Sequence, residues 1–203
     1  MKKGLTEIVF ILDKSGSMHG FERDTVGGFN SLIEKQRSEE GEALVSTVFF
    51  STHSEVIHDR VPLARIEPLT VDDFRVGGCT ALFDAVGSAI HHIGNVHKYA
   101  RAEDVPEHTI FVISTDGFEN ASRCHGRASV RKMIEKMKTK YDWEFIFLGA
   151  NIDAQASAAE IGIDADCSVQ FDQTHDGIIQ AFREMDVAVS SCRRRPTKKK
   201  EED

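Results

Sequence analysis

Apolar and polar positions fall into blocks along this chain, and the spacing inside each block predicts an element. Glu7 to Leu12 is almost continuously apolar, the pattern of a strand buried on both faces. Val26, Phe29, Leu32 and Ile33 then recur at helical spacing. Ala43 to Phe50 and Glu55 to Val61 are rich in β-branched or aromatic residues and read as strands. Only Ser51 to Ser54 separate them, which predicts an antiparallel hairpin at a sheet edge. Leu82, Val86, Ala89, Ile93 and Val96 form one helical stripe, and Val130, Met133, Ile134, Met137 and Tyr141 form another. Thr109 to Ser114 and Trp143 to Leu148 are strands by the same criteria. Asp153 caps a short alanine-rich helix, Cys167 to Phe171 is a last short strand, and Ile178, Ile179, Phe182, Met185 and Val189 mark a last helix. Strands alternating with helices predict an α/β chain, a mostly parallel sheet covered on both faces with one antiparallel edge strand.

Composition narrows the class. The chain has 203 residues, 40% of them apolar and 29% charged, ordinary for a globular domain and wrong for a disordered or membrane-embedded one. The apolar run Ile8 to Leu12 is far shorter than the roughly 20 residues that cross a bilayer and too short for a secretory signal, so a cytoplasmic location is expected. One domain is predicted over 1–192. The remainder, 193–203, is a charged tail expected to fray; its six basic and three acidic residues leave the body more acidic than the overall charge of −8. Such a body repels nucleic acid and anionic membranes. Cys79, Cys124, Cys167 and Cys192 lack the spacing of a zinc or redox motif and are expected to be reduced thiols.

In open sheets of this kind, ligands gather at the carboxyl ends of the strands. The first strand runs into Asp13-Lys14-Ser15-Gly16-Ser17, the Thr109–Ser114 strand runs into Thr115-Asp116-Gly117, and Gly77-Gly78-Cys79-Thr80 precedes a helix. The candidate donors are Asp13, Ser15, Ser17, Thr80 and Asp116, all oxygen. Hard oxygen donors suit Mg²⁺, Mn²⁺ or Ca²⁺ rather than zinc.

These residues resemble a known family. Asp13-x-Ser15-x-Ser17, Thr80 and Asp116-Gly117 are similar to the metal-ion-dependent adhesion site of von Willebrand factor type A domains, and the resemblance spans about residues 5–190. The flanking strings ILDKSGSM, GGCTALFDA and STDGFENAS resemble small stand-alone bacterial members, including some associated with tellurite resistance. The resemblance implies a Rossmann-like three-layer α/β/α sandwich. It implies direct coordination of Mg²⁺, or Mn²⁺, by Ser15, Ser17 and Thr80, with Asp13 and Asp116 acting mostly through water and Ca²⁺ ranking lower. It further implies that the vacant coordination position captures an Asp or Glu carboxylate of a partner protein, without catalysis. Candidate rim residues are Met18, His19, Phe21, Phe118, Glu119 and Asn120.

Other readings compete. A phosphoryl-transfer enzyme with an aspartyl nucleophile needs an acid two residues after the first, where this chain has Ser15. A Walker loop, a dinucleotide fingerprint and a nucleophile elbow are missing from the sequence. A scaffold binding RNA through Arg193–Arg195 and Lys198–Lys200 is disfavoured by the acidic body. Asp13 and Asp116 taken singly could be turn residues, and Thr80 a helix cap. His91, His92 and His97 read as solvated helix surface, Cys79 as a small buried residue, and Gly27 and Gly28 as sites of close helix–sheet packing.

Overall fold

The computed structural model describes residues 1–150 and 153–196. Among the described residues, six strands form one sheet: β1 (Lys2–Asp13), β2 (Glu42–Phe50), β3 (Ser54–Pro62), β4 (Pro106–Thr115), β5 (Glu144–Ala150) and β6 (Ser168–Phe171). The spatial order is β3-β2-β1-β4-β5-β6. All neighbours are parallel except β2 and β3, which form the expected hairpin. The α-helices of the described residues cover the sheet: α1 (Glu22–Arg37), α2 (Leu82–Tyr99), α3 (Arg127–Tyr141), α4 (Ala154–Glu160) and α5 (His175–Arg193).

Alternation along β1 divides the core into two layers. Ile8, Phe10 and Leu12 pack with Phe29 and Leu32 of α1 and with Phe182 and Met185 of α5. Val9 and Ile11 pack with Val86 and Ile90 of α2, Ile134 of α3 and Ala158 of α4. Each fully buried large side chain stabilises the fold by about 1.5–3 kcal/mol, so a strand buried on both faces contributes twice over. Phe10 meets Phe29 edge-on at 5.6 Å.

Several details depart from the sequence reading. β1 begins at Lys2, five residues before the predicted start, because the Lys2 amide bonds to Val105 O and Leu5 pairs with Glu42; a polar run can be a strand when its backbone finds a ladder. Glu7, the polar first residue of the predicted buried strand, is fully buried and brings in partners the sequence did not indicate, Arg60 Nε at 2.8 Å and His97 Nε2 at 3.4 Å. His97 is therefore packed inward, edge-on to Trp143 at 5.4 Å, rather than solvated. Gly28 faces another helix rather than the sheet: a Cβ there would stand 2.3 Å from the Phe182 ring, whereas one on Gly27 would meet nothing within 4 Å. Cys79 is exposed, not buried.

Arg193, expected to open the tail, is the last residue of α5. Its guanidinium donates to Gln36 O at 2.9 Å and Gly41 O at 3.1 Å, tying the end of α5 to the end of α1 and the turn after it. Residues 197–203 of the expected tail lie outside the described residues. Among the described residues, no helix is long and apolar enough to cross a membrane.

The strand order reverses between β1 and β4: the chain winds outward through β2 and β3, then outward the other way through β5 and β6. The carboxyl ends of β1 and β4 flank that switch point, where no crossover covers the sheet edge.

Candidate metal centre

Asp13 ends β1, and Thr115 ends β4 immediately before Asp116. The backbone of three loops then ties itself together. Lys14 N bonds to Phe50 O at 2.7 Å, Gly16 N to Gly78 O at 3.0 Å and Gly77 N to Lys14 O at 2.9 Å. The 77–80 loop is fixed in turn to the hairpin, with Cys79 N on Thr52 Oγ1 and Ala81 N on Ser51 O, each at 2.9 Å. Gly78 has φ +84°, and a Cβ there would stand 2.6 Å from Thr52 Oγ1; only glycine meets both conditions.

On this frame the side chains converge. Asp13 accepts from Ser15 N at 2.8 Å and from Thr115 Oγ1 at 2.6 Å. Ser15 Oγ and Ser17 Oγ are 3.1 Å apart, and Ser17 Oγ donates to Asp116 Oδ1 at 2.8 Å. The other Asp116 oxygen accepts from Gln173 Nε2, which also donates to Ser17 O at 2.8 Å. Thr80 is joined to the loop after Asp116: its amide donates to Asn120 Oδ1 at 2.9 Å, and its carbonyl accepts from Asn120 N and Ala121 N. Thr80 Oγ1 lies 3.8 Å from where a Cβ on Gly117 would be. Asp13, Ser15, Thr80 and Asp116 are buried, and Ser17 is exposed at the mouth.

Thr80 does not cap α2. The N-cap position is Ala81, and the first amides of the helix are taken by the 119–122 loop: Phe83 N bonds to Glu119 Oε2 and Asp84 N to Ser122 Oγ. The Thr80 hydroxyl has no capping role.

Burial pushes the Asp13 carboxyl above its ordinary value. Donors from Thr115 and Ser15 oppose that shift, and the Asp116 charge adds to it. Burial likewise raises Asp116, against the donation from Ser17. Among the described residues, neither carboxylate has a Lys, Arg or His within ion-pair reach. Two acids in one buried site with no basic partner are costly unless another positive charge compensates. Nor do the described residues hold a group of three or more His, Cys, Asp or Glu placed for a metal; this donor set is two carboxylates and three hydroxyls, chemistry for a hard cation. The Ser15–Ser17 oxygen spacing also matches the edge of an octahedron with ~2.1 Å bonds, which is about 3.0 Å. The residues fit a divalent ion.

The sequence did not point to Thr115 or Gln173. Thr115 adjoins Asp116 and could have been suspected as a hydroxyl at a strand end. Gln173 lies in the loop before α5 and belongs to no motif; only tertiary structure brings it to the site. Of the six rim candidates, Met18 is buried in the core. Asn120 is exposed and Glu119 half-buried; Asn120 holds Thr80, and Glu119 accepts from Phe83, Ala121 and Ser122 amides. His19 and Phe118 are exposed, and Phe21 packs against His175 with ring centres 5.4 Å apart.

No protein-family model and no curated protein matches this sequence. Solved structures do match it. Proximal thread matrix protein 1 from the mussel byssus, in a structure with a zinc-occupied MIDAS motif, aligns at TM-score 0.63 and 13% identity over 92% of this chain and 46% of that one. The von Willebrand factor type A protein from Catenulispora acidiphila aligns at 0.59 and 16% over 89% of this chain and 41% of that one. The vWF domain of the pilus tip protein Mfa5 from Porphyromonas gingivalis aligns at 0.67 and 8% over 94% and 97%. The chain thus spans about half the length of the first two and nearly all of the third. Identities this low carry the fold alone: the chain has the Rossmann-like α/β fold of von Willebrand factor type A domains.

Proposed function

We propose that this protein is a divalent-cation-dependent protein-binding module with no catalytic activity. One observation carries the reading: two buried aspartates meet hydroxyl donors at the switch point of the sheet, with no basic side chain beside them. Ser15, Ser17 and Thr80 would hold the ion directly, and Asp13 and Asp116 would act mostly through water. When bound, the ion supplies a Lewis-acidic position for an Asp or Glu carboxylate of a partner protein. Asp13 is oriented by Ser15 N and Thr115 Oγ1, and Asp116 by Ser17 and Gln173, so the acids are held before the ion arrives. Exposed His19 and Phe118 flank the mouth and would select among partners.

The acidic body does not forbid an acidic ligand. Charges beyond about 8–10 Å are screened at physiological salt, whereas the ion acts by contact. We favour Mg²⁺ or Mn²⁺ over Ca²⁺ on donor chemistry, and the zinc-occupied neighbour adds Zn²⁺ to the ions to be tested. A bacterial, cytoplasmic stress-response setting such as tellurite resistance rests on the resemblance of the flanking strings. An RNA role for the basic tail is the weaker reading because the body is acidic; Arg193 is engaged by the Gln36 and Gly41 carbonyls, Arg194 and Arg195 make exposed pairs with Glu39 and Glu144, and Lys198, Lys199 and Lys200 lie outside the described residues.

The test is thermal melting of metal-stripped protein against Mg²⁺, Mn²⁺, Ca²⁺ and Zn²⁺. An ion that binds only the folded state stabilises it by ~2.7 kcal/mol at a hundredfold excess over Kd. Asp13→Ala and Thr80→Ala are expected to remove that gain while keeping cooperative unfolding. Melting of the wild type that ignores all four ions would show the reading to be wrong, and turnover of a phosphate ester that depends on Asp13 would replace it with the enzyme reading.

A further inference from the structure

At the opposite ends of the same strands, between α2 and α3, lies a cavity of about 610 Å³. Its size falls within the roughly 300–1,000 Å³ of small-molecule sites. Its walls include Ile90 of α2, Met133 and Met137 of α3, and Trp143 immediately before β5. Trp143 is held flat by stacking on Phe111 at 5.3 Å, while the two methionines are flexible enough to adapt to a guest.

Gly94 keeps this space open. It lies within α2, where glycine costs about 1 kcal/mol relative to alanine. A Cβ at this position would stand 3.3 Å from Met137 Cε and 4.0 Å from Trp143 Cη2, so any longer side chain would grow into the cavity.

On a protein of net charge −8, the lining of this cavity holds two lysines against one carboxylate, Glu107. The lysines are Lys98 and Lys136, and among the described residues neither pairs with a carboxylate. The acid in the wall, Glu107, is engaged by the Gly4 amide at 2.7 Å. We propose that this cavity binds an amphipathic anion: an apolar chain or ring lies against Trp143 and the methionines, and a carboxylate or sulfonate head meets Lys98 and Lys136. The site does not depend on the metal-centre reading.

Trp143 is the single tryptophan of the chain, so its emission reports directly on the cavity. The experiment titrates full-length protein with dodecanoate below its micelle-forming concentration. A chelator is present so that no carboxylate can act through a metal elsewhere, and dodecylammonium serves as the opposite-charge control. The expected result is a saturable one-to-one change with dodecanoate and none with dodecylammonium. Gly94→Leu should abolish the change while melting cooperatively. The surface double variant Lys98→Gln/Lys136→Gln, which leaves the core untouched, should weaken binding about fivefold, the worth of two partly exposed charge contacts. The proposal is overturned by no saturable change, by equal binding of dodecylammonium, by wild-type affinity in the double variant, or by wild-type affinity in a folded Gly94→Leu protein.

Discussion

Glu7 shows how one buried side chain commits several elements. It sits on β1 with no exposed surface and is met by Arg60 from β3 and His97 from α2, while its Oε1 has no hydrogen-bond partner among the described residues. Arg60 takes φ +51° to do so, on a strand whose register shifts beside it. Removing one partner of a buried ion pair leaves an uncompensated charge at a cost of about 3–5 kcal/mol. Arg60→Ala is expected at the low end, about 3 kcal/mol in urea unfolding, because Arg60 is 24% exposed and His97 remains. His58 carries a pH dependence of the opposite origin. Burial against Phe29 and beside Thr47 Oγ1 lowers its pKa below the ordinary 6.5, partly offset by Asp73. Between that lowered value and 6.5 the unfolded chain binds more protons than the native one. Stability is therefore lost as pH falls below 6.5. His58→Leu is expected to flatten the acid side of a stability–pH curve, read as the urea midpoint from pH 7 to pH 5.

At the scale of elements, two glycines in α1 that look equivalent in sequence have opposite roles. Gly28 makes room for the Phe182 ring of α5, whereas Gly27 faces open space. Gly28→Val is expected to destabilise by about 1–3 kcal/mol through overpacking between α1 and α5. Gly27→Ala is expected to stabilise by up to ~1 kcal/mol through helix propensity. Chemical denaturation of the pair separates packing from propensity. The start of α2 shows another division of labour. Asp84, in its first turn, accepts the amides of Arg123, Cys124 and His125. Burial opposes ionisation there, but the amide donors outweigh it and hold the Asp84 carboxyl below its usual range. With Glu119 and Ser122 capping the helix from the other side, the loop after Asp116 and the start of α2 form one hydrogen-bonded unit, and Thr80 lies inside it.

For the whole molecule, the candidate metal centre is an agreement among four distant segments: 13–17, 77–80, 115–117 and Gln173. None could hold an ion alone, so binding of an ion there would be linked to folding. For a domain of about 200 residues, the ~2.7 kcal/mol expected at a hundredfold excess of ion corresponds to a melting shift of roughly 5–11 °C. Gln173 makes its contribution from the loop before α5 by orienting Asp116 and the Ser17 carbonyl. Gln173→Ala is expected to weaken cation binding about tenfold, as loss of a group that orients a ligand does, with little change in the melting of metal-free protein. Titration calorimetry of the two proteins checks this.

The sequence by itself determined the number and kind of the elements and the edge hairpin, and it pointed to five oxygen-bearing side chains as candidate donors. Each of those signals is local: a period of two or 3.6, a short turn, or a polar string at the end of an apolar run. Tertiary structure alone decided that Glu7 meets Arg60 and His97, that His97 turns inward, that Gly28 faces a helix, and that Gln173 reaches Asp116. It also decided that Thr80 is joined to the 117–121 loop instead of capping α2, and that Gly94 holds open a cavity at the far end of the sheet. Those outcomes depend on which surfaces meet across many residues of chain. Local spacing does not encode that information; it arises when the strand order around β1 places β4 on one side and β2 on the other.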